Sequence, residues 1–119
     1  MTAQTWKKNI KKCCQQAGTY QKCFDNVIDT LASILEKRDA AAVAYEEAGG
    51  MPVIEGEGSM RQKVFKKSPA LSVWEDLNAQ ALNYWRDLGL TPAGLRKINE
   101  SAVKQKKVSA LAAALKELE

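Results

Sequence analysis

Four lysines near the amino terminus are the residues in this sequence best suited to binding chemistry. They are Lys7, Lys8, Lys11 and Lys12, and the first 24 residues contain no acidic side chain. Ammonium groups spaced this closely on a helix can follow successive phosphates, and each phosphate they neutralise adds salt-sensitive affinity. A solvated surface that binds nothing is the alternative, because lysine clusters are common on protein surfaces.

The sequence lacks the residues that most enzymes use as bases, nucleophile partners and metal ligands. It contains no histidine, and its cysteines, Cys13, Cys14 and Cys23, have no CxxC spacing. We therefore expect small buried thiols and neither a zinc site nor a disulfide framework. There is also no GK[ST] phosphate loop and no carboxylate cluster of the two-metal nuclease type. We predict no catalytic residue, no metal and no cofactor, and an enzyme is the least favoured interpretation.

The totals indicate one small soluble domain. The chain has 119 residues, of which 45% are hydrophobic and 27% charged, an ordinary globular composition. No apolar run is long enough for a membrane span, and the first residues lack the hydrophobic core of a signal peptide. We expect a cytoplasmic protein that does not contact a membrane.

Charge alternates in sign along the chain. The net charge is +5 over residues 1–24, −6 over residues 25–57 and +4 over residues 58–74. Such segments suit either contact between the basic parts and a polyanion or complementary contact between copies of the chain. The pattern leaves both uses open.

One helix is delimited on both sides and organises the rest. Ser68 is a suitable N-cap before Pro69, Gly89 is suited to end the helix, and Thr91-Pro92 repeats the cap-then-proline pattern for the next one. The apolar residues between them recur at helical spacing. They are Ala70, Leu71, Trp74, Leu77, Ala81, Leu82, Trp85 and Leu88.

Two helices are predicted upstream. Thr5 caps the first, which runs from residue 6 to residue 17 and ends at Gly18. The second begins near Thr19 and extends up to residue 48, before Gly49-Gly50, a length of about 43 Å. Because this exceeds a compact domain of this size, it must either pack along its neighbours or lend its second half to another subunit.

A short β-hairpin is predicted between these helices, at about residues 51–67. The turn signal is Glu55-Gly56-Glu57-Gly58, with apolar pairs on either side. An isolated hairpin is marginal in water and needs a helix or neighbouring hairpins. We therefore predict a subunit interface formed by the hairpin and the alanine-rich half of the long helix, with Ala41, Ala44, Tyr45, Val53, Ile54, Val64 and Phe65. Lys66 and Lys67, at the end of the hairpin, join the four lysines above as predicted phosphate contacts.

A helix of about nine residues should follow Pro92, with Leu95 and Ile98 inward. A last helix either starts at Ser109 or continues from this one. Leu111, Leu115 and Leu118 form a narrow seam that suits a helical partner, and docking on the chain's own core is the alternative. We therefore divide the chain into a helical core at 1–100 and a C-terminal helix at 101–119.

The expected fold is mainly α. It consists of a helical hairpin with one long helix, a small β-hairpin between helices, and a C-terminal helix, completed by oligomerisation.

The order of these features resembles the small subunit of phage terminase, in the short form found in many tailed double-stranded DNA phages and prophages. The resemblance covers most of the chain. It rests on Trp6 with its following basic residues, Asp25 within TYQKCFDNVIDTLASILEKRDAAAVAYEEAGG, the hairpin, S-P-A-L at 68–71 and LGLTPAGLRKI at 88–98.

The resemblance implies a non-enzymatic packaging factor in the host bacterial cytoplasm. Such subunits assemble into homo-oligomeric rings, bind double-stranded viral DNA near the packaging start and present it to a large subunit that holds the ATPase and nuclease. The six lysines are then the candidate DNA contacts. A helical adaptor that oligomerises and binds no nucleic acid is the alternative.

Overall fold

The computed structural model describes residues 1–58 and 62–118. Its elements are, in chain order, α1 (Ala3–Ala17), a 3₁₀ turn (Lys22–Phe24), α2 (Asp25–Glu47), β1 (Val53–Glu57), β2 (Lys63–Lys67), α3 (Pro69–Asp87) and α4 (Pro92–Glu117). This confirms the predicted fold class, a mainly α chain with a small β-hairpin between helices.

Helix α1 begins three residues earlier than predicted. Thr2, and not Thr5, is its N-cap, and the Thr2 hydroxyl accepts a hydrogen bond from the backbone N–H of Thr5 at 3.3 Å. Gly18 ends the helix as expected, because its φ of 74° is left-handed and its N–H reaches back to carbonyls of the last turn.

Helix α2 packs along its length instead of standing apart. It is shorter than the predicted helix, because residues 19–24 form a loop and a 3₁₀ turn before it. Helix α3 returns antiparallel to it, and their contact is the most extensive between any two elements. Near the middle of the pair, Arg38 Nη1 donates to Asn78 Oδ1 at 3.0 Å.

The buried core lies where α1, α2 and α3 meet. Ile10 and Cys14 come from α1, and Ala81 comes from α3. The largest contribution comes from α2, and the loop after α3 adds one residue; these are Ile28, Leu31, Ala32, Leu35 and Leu88. Burial raises the pKa of the Cys14 thiol. The prediction of buried thiols is right for Cys14 only, since Cys13 and Cys23 are exposed.

A close helix–helix junction joins α3 to α4. Gly89 adopts a left-handed φ of 72°, and the Thr91 hydroxyl accepts from the N–H of Gly94 at 3.0 Å, as its predicted N-cap role requires. Gly94 is buried, and a Cβ there would overlap the carbonyl oxygen of Arg86. Helix α4 therefore starts in contact with the last turn of α3.

Beyond this junction, α4 projects from the core. It is one continuous helix, so Ser109 does not begin a new one. Every residue from 96 to 118 is exposed, and the whole chain spans 84 Å along its longest axis. Docking of this helix on the chain's own core, the alternative considered above, is not what the structure shows.

The β-hairpin is antiparallel, with Val53 opposite Lys67 and Gly56 opposite Val64. The predicted position of its turn is wrong, because residues 55–57 are paired within β1. The absence of a side chain at Gly56 leaves room for the aliphatic part of Lys66 to pack over it, since a Cβ there would lie 3.1 Å from Lys66 Cε. The strands are joined through residues 58–62, of which residues 59–61 lie outside the described residues.

Within the described ranges, no helix combines the length and the hydropathy that crossing a bilayer would need.

Candidate nucleic-acid interface

The outer face of α1 presents three of the four predicted lysines to solvent. Ile10 and Cys14 turn one side of the helix into the core. Because of helical spacing, Lys8, Lys11 and Lys12 then fall on the other side, and all three are exposed. The Lys11 ammonium lies 5.2 Å from the centre of the Tyr20 ring, a cation–π contact that restrains its direction. We call these three residues the α1 lysine face.

Lys7 has a different role from its neighbours. Its ammonium forms an ion pair with Asp29 of α2, with Nζ 2.8 Å from Oδ1. The hydrogen bond to Asp29, followed by the charge of that carboxylate, raises the pKa of Lys7 above its ordinary value. Lys7 therefore ties α1 to α2 and is the least available of the four lysines for a phosphate.

The hairpin lysines are not brought together with the α1 lysine face. Helix α1 lies against the part of α2 that includes residues 29–39, whereas the hairpin follows the far end of α2. Lys67 is paired with Glu75 of α3. Lys66 is exposed, and as the neighbour of Lys67 in a strand it points to the opposite face of the hairpin. Of these two, Lys66 is the more available cation.

Trp6 anchors α1, a role that sequence reasoning did not assign. Its indole Nε1 donates to Asp39 Oδ2 at 2.7 Å, and the amino terminus of Met1 lies 3.3 Å from the same oxygen. The Arg38 guanidinium lies 5.7 Å from the Trp6 ring and also bonds Asn78 of α3. These contacts join α1, α2 and α3. In the sequence, Arg38 and Asp39 are the last two of four consecutive charged residues, at 36–39, and no local pattern links them to Trp6.

Helix α4 carries a second basic surface, which is not among the predicted phosphate contacts. Its exposed cations are Arg96, Lys97, Lys104, Lys106, Lys107 and Lys116. At its base, an open cleft of about 550 Å³ separates it from the end of α3. Arg86, Lys97, Ser101 and Gln105 line part of this cleft, and these are residue types that also bind phosphate oxygens.

The predicted interface residues are divided by their burial. Ala41 is buried within the chain, and Tyr45 is half-buried with its hydroxyl donating to the Gly50 carbonyl at 2.7 Å. Ile54 is half-buried, whereas the remaining four are exposed, namely Ala44, Val53, Val64 and Phe65. The hairpin side of the predicted interface is therefore accessible to another molecule.

The leucine seam of α4, which consists of Leu111, Leu115 and Leu118, is accessible throughout. The three side chains are 63%, 58% and 83% exposed. Their three- and four-residue spacing places them on one side of the helix. The structure thus brings them together as one apolar strip without covering it.

No metal-binding cluster occurs in the part of the chain that the structure describes, taking three or more His, Cys, Asp or Glu side chains as the requirement.

Comparison with known proteins identifies the family. Neither a curated protein nor a solved structure matches the chain. The family described as phage terminase, small subunit, matches residues 3–107, which covers all of α1, α2, the hairpin and α3, together with much of α4. The chain therefore belongs to the phage terminase small-subunit family.

Proposed function

We propose that this chain is the non-catalytic, DNA-binding subunit of a phage packaging terminase. It binds double-stranded viral DNA, assembles into a ring and delivers the DNA to the large subunit, which carries the ATPase and nuclease. Family membership supports the packaging role. The observation that carries DNA binding is the α1 lysine face, a group of exposed cations in a segment without any acidic residue.

The α1 lysine face suits the duplex backbone more than the base edges. Lysine supplies a flexible point charge, and phosphate contacts fix the position of a protein on DNA without reading its sequence. Lys8, Lys11 and Lys12 would each neutralise about one phosphate. Loss of all three would then lower the dependence of log K on log salt by about 2.7, at roughly 0.9 per phosphate.

Two triple variants with the same charge change test this. One is Lys8→Gln/Lys11→Gln/Lys12→Gln, and the control is Lys104→Gln/Lys106→Gln/Lys107→Gln in α4. Each removes three positive charges from exposed helical positions. We expect the α1 variant to lose affinity and salt slope in titrations of duplex DNA at several salt concentrations, and the control to lose less. An unchanged slope in the α1 variant would exclude α1 as the contact, and a larger loss in the control would assign it to α4.

Self-assembly would complete the exposed hairpin. A two-stranded sheet leaves both outer edges unpaired and is marginal alone. In the described chain the Lys67–Glu75 pair ties the hairpin to α3, and a hydrogen bond from Ser68 N to Pro52 O at 2.9 Å extends the strand pairing by one position. Measurement of the intact mass in solution tests the ring, and a monomer at high concentration would exclude it.

The leucine seam of α4 is the proposed contact for the large subunit. Replacement of Leu111, Leu115 and Leu118 by serine removes the apolar strip without touching the core, because all three are exposed. We expect this variant to lose co-purification with the large subunit while keeping DNA binding.

The same seam also supports the second candidate, a helical adaptor that binds no nucleic acid. In that case basic segments would pair with the acidic residues 25–57 of a neighbouring copy. Stable oligomers without DNA binding at low salt would favour the adaptor over the packaging subunit.

A further inference from the structure

An apolar pocket opens at the end of the α2–α3 pair nearest the hairpin. It has a volume of about 310 Å³ and is lined by Ala42, Tyr45, Leu71 and Trp74, with Glu46 as its charged member. The Tyr45 hydroxyl is already bonded to Gly50, so its ring is held in place as a wall. The chain's own side chains leave this space open.

The hairpin presents an exposed aromatic side chain that could occupy such a pocket. Phe65 is 73% exposed, the largest exposed fraction among the aromatic side chains named above. Val53, which lies diagonally across the strands on the same face, is 54% exposed. Phe65 therefore does not occupy the pocket of its own chain, although it precedes α3 by only a few residues.

We propose that Phe65 of one chain inserts into the pocket between Tyr45 and Trp74 of a second copy. This inference rests on the self-assembly proposed above and names the contact that produces it. A pocket of about 310 Å³ is at the small end of the range for binding cavities, roughly 300–1,000 Å³, and so fits one aromatic ring. Offset or edge contacts of that ring with Tyr45 and Trp74 would add to the apolar burial.

Charge identifies a second copy of this chain as the occupant. Strand β2, which carries Phe65, has three lysines in five residues. The end of α2 that forms the pocket has the opposite sign, because residues 40–50 contain Glu46 and Glu47 and no basic side chain. Lys63 and Lys67 lie on the same face of the hairpin as Phe65, and their side chains stay 84% and 51% exposed in ion pairs with Glu55 and Glu75. Glu46 forms no ion pair with any residue in the described ranges. The basic strand of one copy and the acidic helix end of another are complementary.

The contact joins two different surfaces, so each copy offers one Phe65 and keeps one pocket. Repetition of such a contact closes into a ring when the rotation between copies permits it, and two copies can otherwise exchange hairpins as a pair. In both arrangements, loss of either half removes the interface.

Two variants and their mixture test the proposal. Phe65→Ala removes the inserted ring, and Ala42→Phe fills the pocket from within. We expect each variant alone to associate at least about tenfold more weakly than the wild type, as for a buried aromatic hot spot. An equimolar mixture should form a two-chain species and nothing larger, because only the Phe65 of the filled-pocket variant and the pocket of the Phe65→Ala variant remain compatible. Light scattering coupled to size-exclusion chromatography measures the mass of the assembled species for each variant and for the mixture.

The control is Val73→Ala, a truncation at an exposed position of α3 outside the pocket, which should leave the mass unchanged. Circular dichroism verifies that each variant is folded. If the wild type assembles and Phe65→Ala assembles equally well, this inference is wrong while the proposed ring stands. If the wild type is monomeric at high concentration, both fail.

Discussion

The core formed by α1, α2 and α3 differs from the hairpin and α4 in what covers its apolar side chains. In the core, Leu35 of α2 is fully buried, whereas Leu115 of α4 has the same side chain on an equally regular helix and is 58% exposed. Phe65 of the hairpin is more exposed still. The core is satisfied within one chain, and the two protruding elements present surface that only another molecule can cover.

The contrast shows that helix formation and burial are separate properties in this molecule. Helix α4 persists without tertiary support because alanine, lysine, leucine and glutamine favour helix on their own. Its apolar strip therefore does not stabilise the fold and is available for binding. We expect substitutions in the core to change stability and substitutions in the protruding elements to change assembly or binding.

The largest effect should come from the matched pair Leu35→Ala and Leu115→Ala. The first leaves a cavity in the core and should lower the free energy of unfolding by about 2–5 kcal/mol. The second should change it by less than about 0.5 kcal/mol, as for an exposed site. Urea denaturation followed by circular dichroism compares them. A similar loss for both variants would break the distinction between core and protruding helix.

The junction between the two regions should be the next most sensitive position. Gly94→Ala would lower the free energy of unfolding by about 1–3 kcal/mol, because the new methyl group meets the Arg86 carbonyl. Without that contact the same change would stabilise the helix by about 1 kcal/mol. The sign of the change in the free energy of unfolding therefore shows whether Gly94 lies against the Arg86 carbonyl.

The control for this junction is Ser109→Ala, farther along the same helix. If Ser109 capped a separate helix, its loss would cost about 1 kcal/mol. Because α4 is continuous there, we expect almost no change in the free energy of unfolding, and a loss of cap size would contradict the single helix.

A third comparison concerns two hydrogen bonds, one in each region. Trp6→Phe removes a donor to the Asp39 carboxylate in the core, and Tyr45→Phe removes a donor to the Gly50 carbonyl beside the hairpin. Bonds to a charged group contribute about 1.5–3 kcal/mol and neutral ones about 0.5–1.5 kcal/mol. The same denaturation measurement should therefore show the larger loss for Trp6→Phe. Equal losses would mean that the Trp6–Asp39 contact does not hold α1 in place.

Local chemistry made the helix ends predictable. Gly18, Gly49-Gly50, Gly89 and Thr91-Pro92 all act as expected, because a left-handed φ or a cap depends on residues within one turn. The predicted cap, Thr5, is wrong because Thr2 caps the helix three residues earlier, and the packing of Trp6 on Asp39 helps to fix where the first turn lies.

Contacts between residues far apart in the chain were harder to predict from the sequence. The Gly-x-Gly segment satisfies the local requirements of a turn, but cross-strand pairing places Gly56 opposite Val64. Leu82 follows the apolar spacing of α3 and is nevertheless 55% exposed, because no other helix in the described part of the chain covers that side. The lysines of α1 were identified from composition, whereas the partner of Lys7 is 22 positions away and no local pattern reveals it.

The smallest expected effect is on the pH dependence of stability and concerns two lysines of α1. Lys7 is paired with α2, whereas Lys12 is exposed. The pKa of Lys7 is raised in the folded chain by its hydrogen bond to Asp29 and by the charge of that carboxylate. A raised pKa means that the folded state holds this proton more tightly. The stabilisation is therefore complete below the ordinary value of 10.5 and is lost as the pH rises through the higher folded value.

Asp29→Asn removes the partner charge and should weaken this dependence. We expect the wild type to lose more unfolding free energy than Asp29→Asn between neutral pH and a pH above 10.5. Lys7→Gln should match Asp29→Asn, and Lys12→Gln, at an exposed position, should match the wild type. Urea titrations at the two pH values measure this. If Lys12→Gln altered the dependence as much as Lys7→Gln does, the division of α1 into a tethering lysine and a binding face would be wrong.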